Sequence, residues 1–288
     1  MFCDFIQATI PAPVAAIRDL IMDAGLAHSF RNESRGGFGY TGLINFLDPA
    51  RDCHISLYHG SANANPSLKF SGVAAVPGFD FIRREFPDHA VSRVDYAQDF
   101  SEEGGFRKRC RALRAIGKKN GMYDSGLALV SQNPEKGSTQ AIGSRGSGFY
   151  GRCYEKHKEL LKKGKITPDQ FDPHAHRVEV ELRPQKAAEK KLFAHLDSAS
   201  HLGYFAAGRE VATKFFGIDA PEVERLKHQT ADCDKSWAHF MRQIPNVARE
   251  KALADNTRYH GLIEPTNEDL ANIAAGLFFD AMMKAWGK

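Results

Sequence analysis

Cysteine is scarce in this 288-residue chain. The five present (Cys3, Cys53, Cys110, Cys153 and Cys233) are odd in number, widely spaced and form no CxxC pair. That excludes a zinc ribbon and a disulfide scaffold, and a reducing, cytosolic compartment is the simplest expectation. No apolar stretch approaches the ~18 residues of a membrane span. The opening residues MFCDFIQATIPAP carry Asp4 and lack a basic leader followed by a long apolar run, so no signal peptide is expected. There is no internal repeat and no low-complexity run. Gly143 to Gly148 has the glycine spacing of a P-loop, but Phe149 stands where the lysine must be, so no nucleotide site is expected there.

What the chain does have is unevenly placed positive charge. The overall net charge is +4, yet residues 105–165 hold fifteen Lys or Arg against four acids, Asp124, Glu135, Glu155 and Glu159. A polyanion is the partner such a concentration suits. The hydrophobic share of 42% suffices for a core, and the length implies one large or two small domains.

Pattern along the chain predicts an α+β fold. Strands are expected over 5–10, 37–47, 54–59, 68–76, 126–131 and 140–144, with turns over 48–52 and 133–138. Helices are expected over 14–24, 78–86, 186–196 and 203–216. Further helices are expected from Pro221 to about Arg242 and from Thr266 onward, where Asp269 makes a capping-box-like start. Residues 105–119 read as an amphipathic helix with Phe106, Cys110, Leu113 and Ile116 on its apolar stripe. Its other faces carry Arg107, Arg111, Arg114 and Lys118, suited to phosphate contact without sequence information.

Three stretches carry chemistry. In VSRVDYAQDF, residues 91–100, Arg93, Asp95 and Asp99 share one strand face and Val94 and Tyr96 the other. In IGSRGSGFYGRCYEKHK, residues 142–158, alternation sets Phe149, Gly151 and Cys153 against Tyr150, Arg152, Tyr154 and Lys156, and a short basic helix follows over 155–163. In HAHRVEVELRPQ, residues 174–185, Val178, Val180 and Leu182 oppose Arg177, Glu179, Glu181 and Arg183, the pattern of a half-buried strand. Two carboxylates on one face of a core-like strand are costly unless paired or metal-bound, and salt bridges, with Arg93 as one partner, are the simpler alternative. If the three strands share a sheet, carboxylates and a tyrosine converge. Hard carboxylate oxygens favour Mg²⁺ or Mn²⁺. A tyrosine between cations could attack a phosphodiester and become linked to the 5′ end, with strand joining as the reverse step.

The ordered motifs RVDYAQDF, IGSRGSGFYGRCYEKHKE and HRVEVELR resemble the replication initiation factor family, the rolling-circle initiators of staphylococcal-type plasmids and some filamentous phages. The resemblance covers residues 90–185, with the preceding residues similar only in general layout. It implies a relaxase-like palm with a central, mostly antiparallel sheet over 1–185, a nicking and joining domain, then a helical C-terminal region over 186–288. It places the nucleophile at Tyr154, followed by Glu155 and Lys156, with Arg152 and Lys156 as its catalytic companions. It carries the Arg-x-Asp motif to Arg93 and Asp95 and the Arg-x-Glu-x-Glu motif to Arg177, Glu179 and Glu181. Asp95, Glu179, Glu181 and Asp99 are then the expected ligands of Mg²⁺ or Mn²⁺. Arg145, Tyr150, Arg93 and Arg177, with the cations of the 105–119 helix, are the expected DNA contacts. Origin DNA, a host helicase and a second copy of the chain are the expected partners, with no membrane.

Other readings fit some of the same letters. His174-Ala175-His176 matches the His-hydrophobic-His pattern of two-histidine relaxase-like initiators. Tyr150 and Tyr154 match a two-tyrosine spacing. His174-x-x-Arg177 echoes tyrosine recombinases, although the residues after it alternate as a strand and Tyr154 lies upstream. A DNA-binding replication regulator that keeps the fold without cleaving is the non-enzymatic alternative.

Overall fold

The computed structural model describes residues 1–224 except 34, 35, 38, 48–52, 61–64 and 129–136. The chain divides into two compact units, Met1–Leu226 and Lys227–Lys288. The second lies outside the described residues, as do the helix expected from Thr266 and most of the one expected from Pro221. Pro221–Glu224 themselves carry no helix.

The first unit is α+β, with ten described strands: β1 (Phe2–Thr9), β2 (Ser29–Glu33), β3 (Gly42–Leu47), β4 (Cys53–His59), β5 (Ser67–Gly72), β6 (Ala90–Ser101), β7 (Asp124–Ala128), β8 (Thr139–Ile142), β9 (Phe149–Tyr154) and β10 (Ala175–Leu182). They form one sheet in the order β2-β3-β4-β5-β1-β6-β10-β9-β8-β7. Every ladder between them is antiparallel. The three chemistry-bearing strands β6, β10 and β9 are immediate neighbours, which meets the condition on which their polar faces converge.

The helices are α1 (Val14–Asp23), α2 (Ala75–Glu85), α3 (Gly105–Lys119), α4 (Lys156–Lys162), α5 (Ala187–His195), α6 (Ser198–Gly203) and α7 (Ala206–Val211). All but α4 cover one face of the sheet. Their apolar sides meet Ile6, Phe70, Val94, Ile142, Phe149, Cys153, Val178, Val180 and Leu182 in one continuous core. Close approach shows in the glycines. A Cβ on Gly78 of α2 would lie 2.3 Å from the Phe70 ring, and one on Gly117 of α3 would lie 2.5 Å from Ile142.

Several expected elements shift for local reasons. The strand expected over 68–76 stops at Gly72, whose φ of 64° turns the chain, and α2 starts at Ala75. The helix expected over 203–216 begins later, at Ala206, and runs on through Phe216, its last turn over Ala212–Phe216 being a wider π-helical one. Asp197 caps α6 through the Ser200 amide at 2.7 Å, and Phe205 adopts an extended conformation (φ −113°, ψ 132°) before α7. β2 was not expected; its sequence SFRNE lacks an alternating apolar pattern. The strand over 174–185 is not half-buried: all eight residues of β10 are buried, because it lies between β6 and β9 with side chains crowding both faces. The boundary expected near 185 is also displaced. α5 to α7 belong to the first unit, since Phe193, Leu202 and Phe205 are buried in its core.

Candidate functional site

Antiparallel register sorts the polar residues of β6, β10 and β9 into rows across the open face. Asp95, Glu181 and Tyr150 are mutual partners in one row. Ala97, Glu179 and Arg152 form the next, and Asp99, Arg177 and Tyr154 the third. Directly paired residues project on the same face, so the alternation that buries Val94, Val178 and Cys153 under helices lifts these groups to the other side. The loop before β9 depends on Gly143, whose φ is 76° and whose Cβ would meet the Phe149 carbonyl at 2.5 Å.

Tyr154 ends β9, and its hydroxyl donates to Glu179 Oε2 at 3.0 Å. Arg152 donates to the other oxygen, Oε1, at 2.7 Å, and its guanidinium lies 4.8 Å from the centre of the Tyr154 ring. Lys156, the first residue of α4, places Nζ 3.5 Å from the phenol oxygen and 2.9 Å from Glu159 Oε2. The phenol is only 7% exposed, but it lines a cleft of about 810 Å³ together with Asp95, Asp99, Arg152, Lys156 and Glu179. Burial and the Glu179 charge push the Tyr154 pKa well above the ordinary tyrosine value, against the opposing pull of Arg177 and Arg152. The resting residue is therefore a neutral phenol already hydrogen-bonded to a carboxylate. Burial would raise the Glu159 carboxyl, but Lys163 and Lys156 override it and hold the pKa down to about 2.

The carboxylates are each held by arginine. Arg93 reaches Asp95 at 2.5 Å and Glu181 at 2.8 Å, and Arg183 also pairs with Glu181. Arg177 bonds Asp99 at 2.6 and 2.8 Å and lies 3.2 Å from Asp4. Asp95 is 2% exposed, and burial, despite the Arg93 contact, raises its pKa to about 7. Oxygen donors of this kind suit Mg²⁺ or Mn²⁺. Among the described residues, however, no three His, Cys, Asp or Glu side chains converge as a metal-binding group. Arg93 stands where a cation between Asp95 and Glu181 would sit, so as arranged these residues do not fit the ion.

Other expected site residues fall in different places. Arg93 and Arg177, expected as DNA contacts, already clamp carboxylates, so DNA contact requires those pairs to open. Tyr150 is four residues from Tyr154 on the same strand, about 13 Å away, and Arg145 lies 5.9 Å from its ring centre. The two phenols therefore cannot reach one phosphate from fixed positions.

The cations of α3 do not stand beside Tyr154. Arg107, Arg111, Arg114 and Lys118 are exposed, but Cys110, Leu113 and Ile116 of the same helix are buried on the Cys153 side of the sheet. The helix thus covers the face opposite the phenol, and Arg114 is paired with Asp124.

His176 is buried on that covered face. Its ring stacks on Phe100, Nδ1 donates to the His174 carbonyl at 2.7 Å and Nε2 accepts from Arg109 at 3.1 Å. Both ring nitrogens are engaged. Sequence reasoning missed Lys163 and Lys165, which line the cleft from the end of α4 and beyond. Their signal was the basic concentration over 105–165, in which Lys163 ends the helix expected over 155–163 and Lys165 lies just beyond it.

No helix among the described residues is long and apolar enough to cross a membrane. No curated protein matches the chain. Among solved structures, the rolling circle replication initiator protein from Geobacillus stearothermophilus is similar at 16% identity. The match covers 70% of this chain and 82% of that one, with a TM-score of 0.44. The family model described as replication initiation factor matches residues 89–258, which include β6, β9 and β10 with Tyr154, Asp95 and Glu179. The chain belongs to the replication initiation factor family.

Proposed function

We propose that this protein initiates rolling-circle replication by nicking origin DNA through Tyr154 and later rejoining the strand. The observation that carries this reading is the Tyr154 hydroxyl bonded to Glu179 at 3.0 Å within an open cleft bordered by Arg152 and Lys156. Glu179 takes the phenolic proton as the oxygen attacks phosphorus. The new bond is phosphorus to Tyr154 oxygen; the bond broken is phosphorus to the 3′ oxygen. The 3′ oxygen leaves with its electron pair and takes a proton from solvent, giving a 3′ hydroxyl that can prime synthesis. Arg152 and Lys156 offset the charge that builds on the phosphoryl oxygens. Reversal of the same steps joins strands.

The resemblance assigns Mg²⁺ or Mn²⁺ to Asp95, Glu179 and Glu181, and Asp99 joins them by its place on the same strand face as Asp95. No step above runs through the ion, because Arg93 holds Asp95 and Glu181, Arg177 holds Asp99 and Arg152 holds Glu179. That same pairing is the observation favouring a second reading, a regulator that binds origin DNA without cutting it. A host helicase and a second copy of the chain remain the proposed partners, as plasmid and filamentous phage remain the proposed settings.

The test is incubation of supercoiled origin DNA with the protein and Mn²⁺, followed by denaturing electrophoresis for a protein–DNA adduct. Wild type should form it and Tyr154→Phe should bind equally well but form none. Adduct on the Phe variant would show that Tyr154 is the wrong residue. Tight binding with no adduct from wild type would favour the regulator.

A further inference from the structure

A second hollow opens on the same face of the sheet. Its volume is about 400 Å³, and it lies beyond the Leu182 end of β10, between β1, β4, β5 and the loop at Gly146. It shares Phe5 and Arg93 with the Tyr154 cleft, so the two are continuous across β1 and β6. Their electrostatics differ. The Tyr154 cleft mixes cations with Asp4, Asp95, Asp99, Glu159 and Glu179, whereas the second hollow is lined, among the described residues, by Lys69, Arg93, Arg183 and Lys190 and by no acidic side chain.

Register explains the cluster. Lys69 pairs with Gln7, and Gln7 with Arg93, so Lys69 and Arg93 project from one row about 10 Å apart. Arg183 follows Leu182 at the end of β10, and Lys190 comes from α5. The aromatic rings here are already covered: the Lys69 ammonium lies 5.6 Å from the Tyr58 ring centre, and the Arg93 guanidinium 4.2 Å from that of Phe5. A base therefore finds no bare ring to stack on, and what the hollow offers an incoming strand is positive charge.

We propose that this hollow is a phosphate-backbone subsite for the DNA single strand, a few nucleotides from the phosphate at Tyr154. From Arg177, in the Tyr154 row, to Arg183 is six residues of extended chain, about 20 Å, a span that takes several nucleotides. The proposal rests on the reading of this face as the one DNA crosses. It assigns Lys69 and Lys190 to holding the strand in register, without preference for base, since Arg93 and Arg183 are already paired with Asp95 and Glu181.

The experiment measures binding of fluorescein-labelled 20-mer oligodeoxythymidylate and oligodeoxyadenylate by anisotropy, over a range of salt. In Lys69→Gln/Lys190→Gln, affinity for both oligomers should fall about tenfold at low salt. The slope of log affinity against log salt should shrink by about 1.4, at ~0.7 for each single-strand phosphate no longer neutralised. Lys69→Arg/Lys190→Arg should restore both values, which a merely misfolded double Gln variant could not explain. An unchanged slope, or a loss confined to one base composition, overturns the subsite. Adduct formation by wild type on origin DNA is scored separately. Adduct with an unchanged slope removes the subsite and keeps the nicking reading; a reduced slope without adduct does the reverse.

Discussion

The Tyr154 hydroxyl donates to Glu179 across two neighbouring strands, with Arg152 on the other oxygen of the same carboxylate. Register makes this contact: Tyr154 opposes Arg177 and Arg152 opposes Glu179, so Glu179 lies diagonal to the phenol on the same face. Glu179→Gln keeps the shape but removes the proton acceptor. Adduct formation on origin DNA should fall by about 10²–10⁴-fold with affinity changed less than about threefold, measured by quenched-flow gels and anisotropy. Full activity would rule out Glu179 as the base.

Glu159 competes for Lys156. It holds that ammonium at 2.9 Å and adds negative charge that raises the pKa of the nearby phenol. Glu159→Gln should release Lys156 toward the Tyr154 oxygen and lower the pKa of the phenol. Adduct formation near neutral pH should quicken by about two- to fivefold, with the alkaline rise of the rate moved to lower pH. A slower variant with an unmoved profile would mean that Glu159 orients Lys156 rather than restraining it.

Asp95 makes stability depend on pH in an unusual direction for a carboxylate. Its folded pKa of about 7 exceeds the ordinary value of 3.8, so the folded state binds the proton more tightly than the unfolded one. The stability it contributes is complete below about pH 4 and is lost as pH rises through about 7. At ~1.4 kcal/mol per unit, the loss is up to about 4 kcal/mol at pH 8. Asp95→Asn should therefore raise the melting temperature at pH 8 and flatten its decline between pH 4 and 7. Calorimetry showing the variant less stable at pH 8 would mean that the Arg93 pair outweighs burial.

Arg93 bridges Asp95 and Glu181 and so competes with any divalent cation for them. Arg93→Ala should bind Mn²⁺ at least about tenfold more tightly than wild type by titration calorimetry. Equal affinity would place the ion, if it binds, away from these two carboxylates.

Much of this was legible in the residues. The alternation of Val178, Val180 and Leu182 against Arg177, Glu179 and Glu181 is a local property of an extended chain, since successive side chains point to opposite faces. The same holds for Tyr150, Arg152 and Tyr154, and for the apolar stripe of α3. Proline after β1 marks a chain reversal by restricting φ, whereas the reversal at Gly72, the last residue of β5, falls inside the strand expected over 68–76. Period and turn chemistry act over a few residues, so local residue order alone decides which groups share a face.

The sequence could not tell which face each strand turns toward its neighbours, or what stands across from it. Arg107, Arg111 and Lys118 form a basic surface in any setting, but only the packing of Cys110 and Gly117 against β9 and β8 sends that surface to the side away from Tyr154. A salt bridge to Arg93 is among the sequence's own alternatives, but only register shows that Arg93 bridges Asp95 and Glu181 and that Arg177 holds Asp99. The fully buried state of β10 arises because strands remote in sequence close on both its edges. Such contacts join residues far apart in the chain, as Arg177 is from Asp99 and from Asp4, and their energies come from burial and charge pairing that exist only once the sheet has formed.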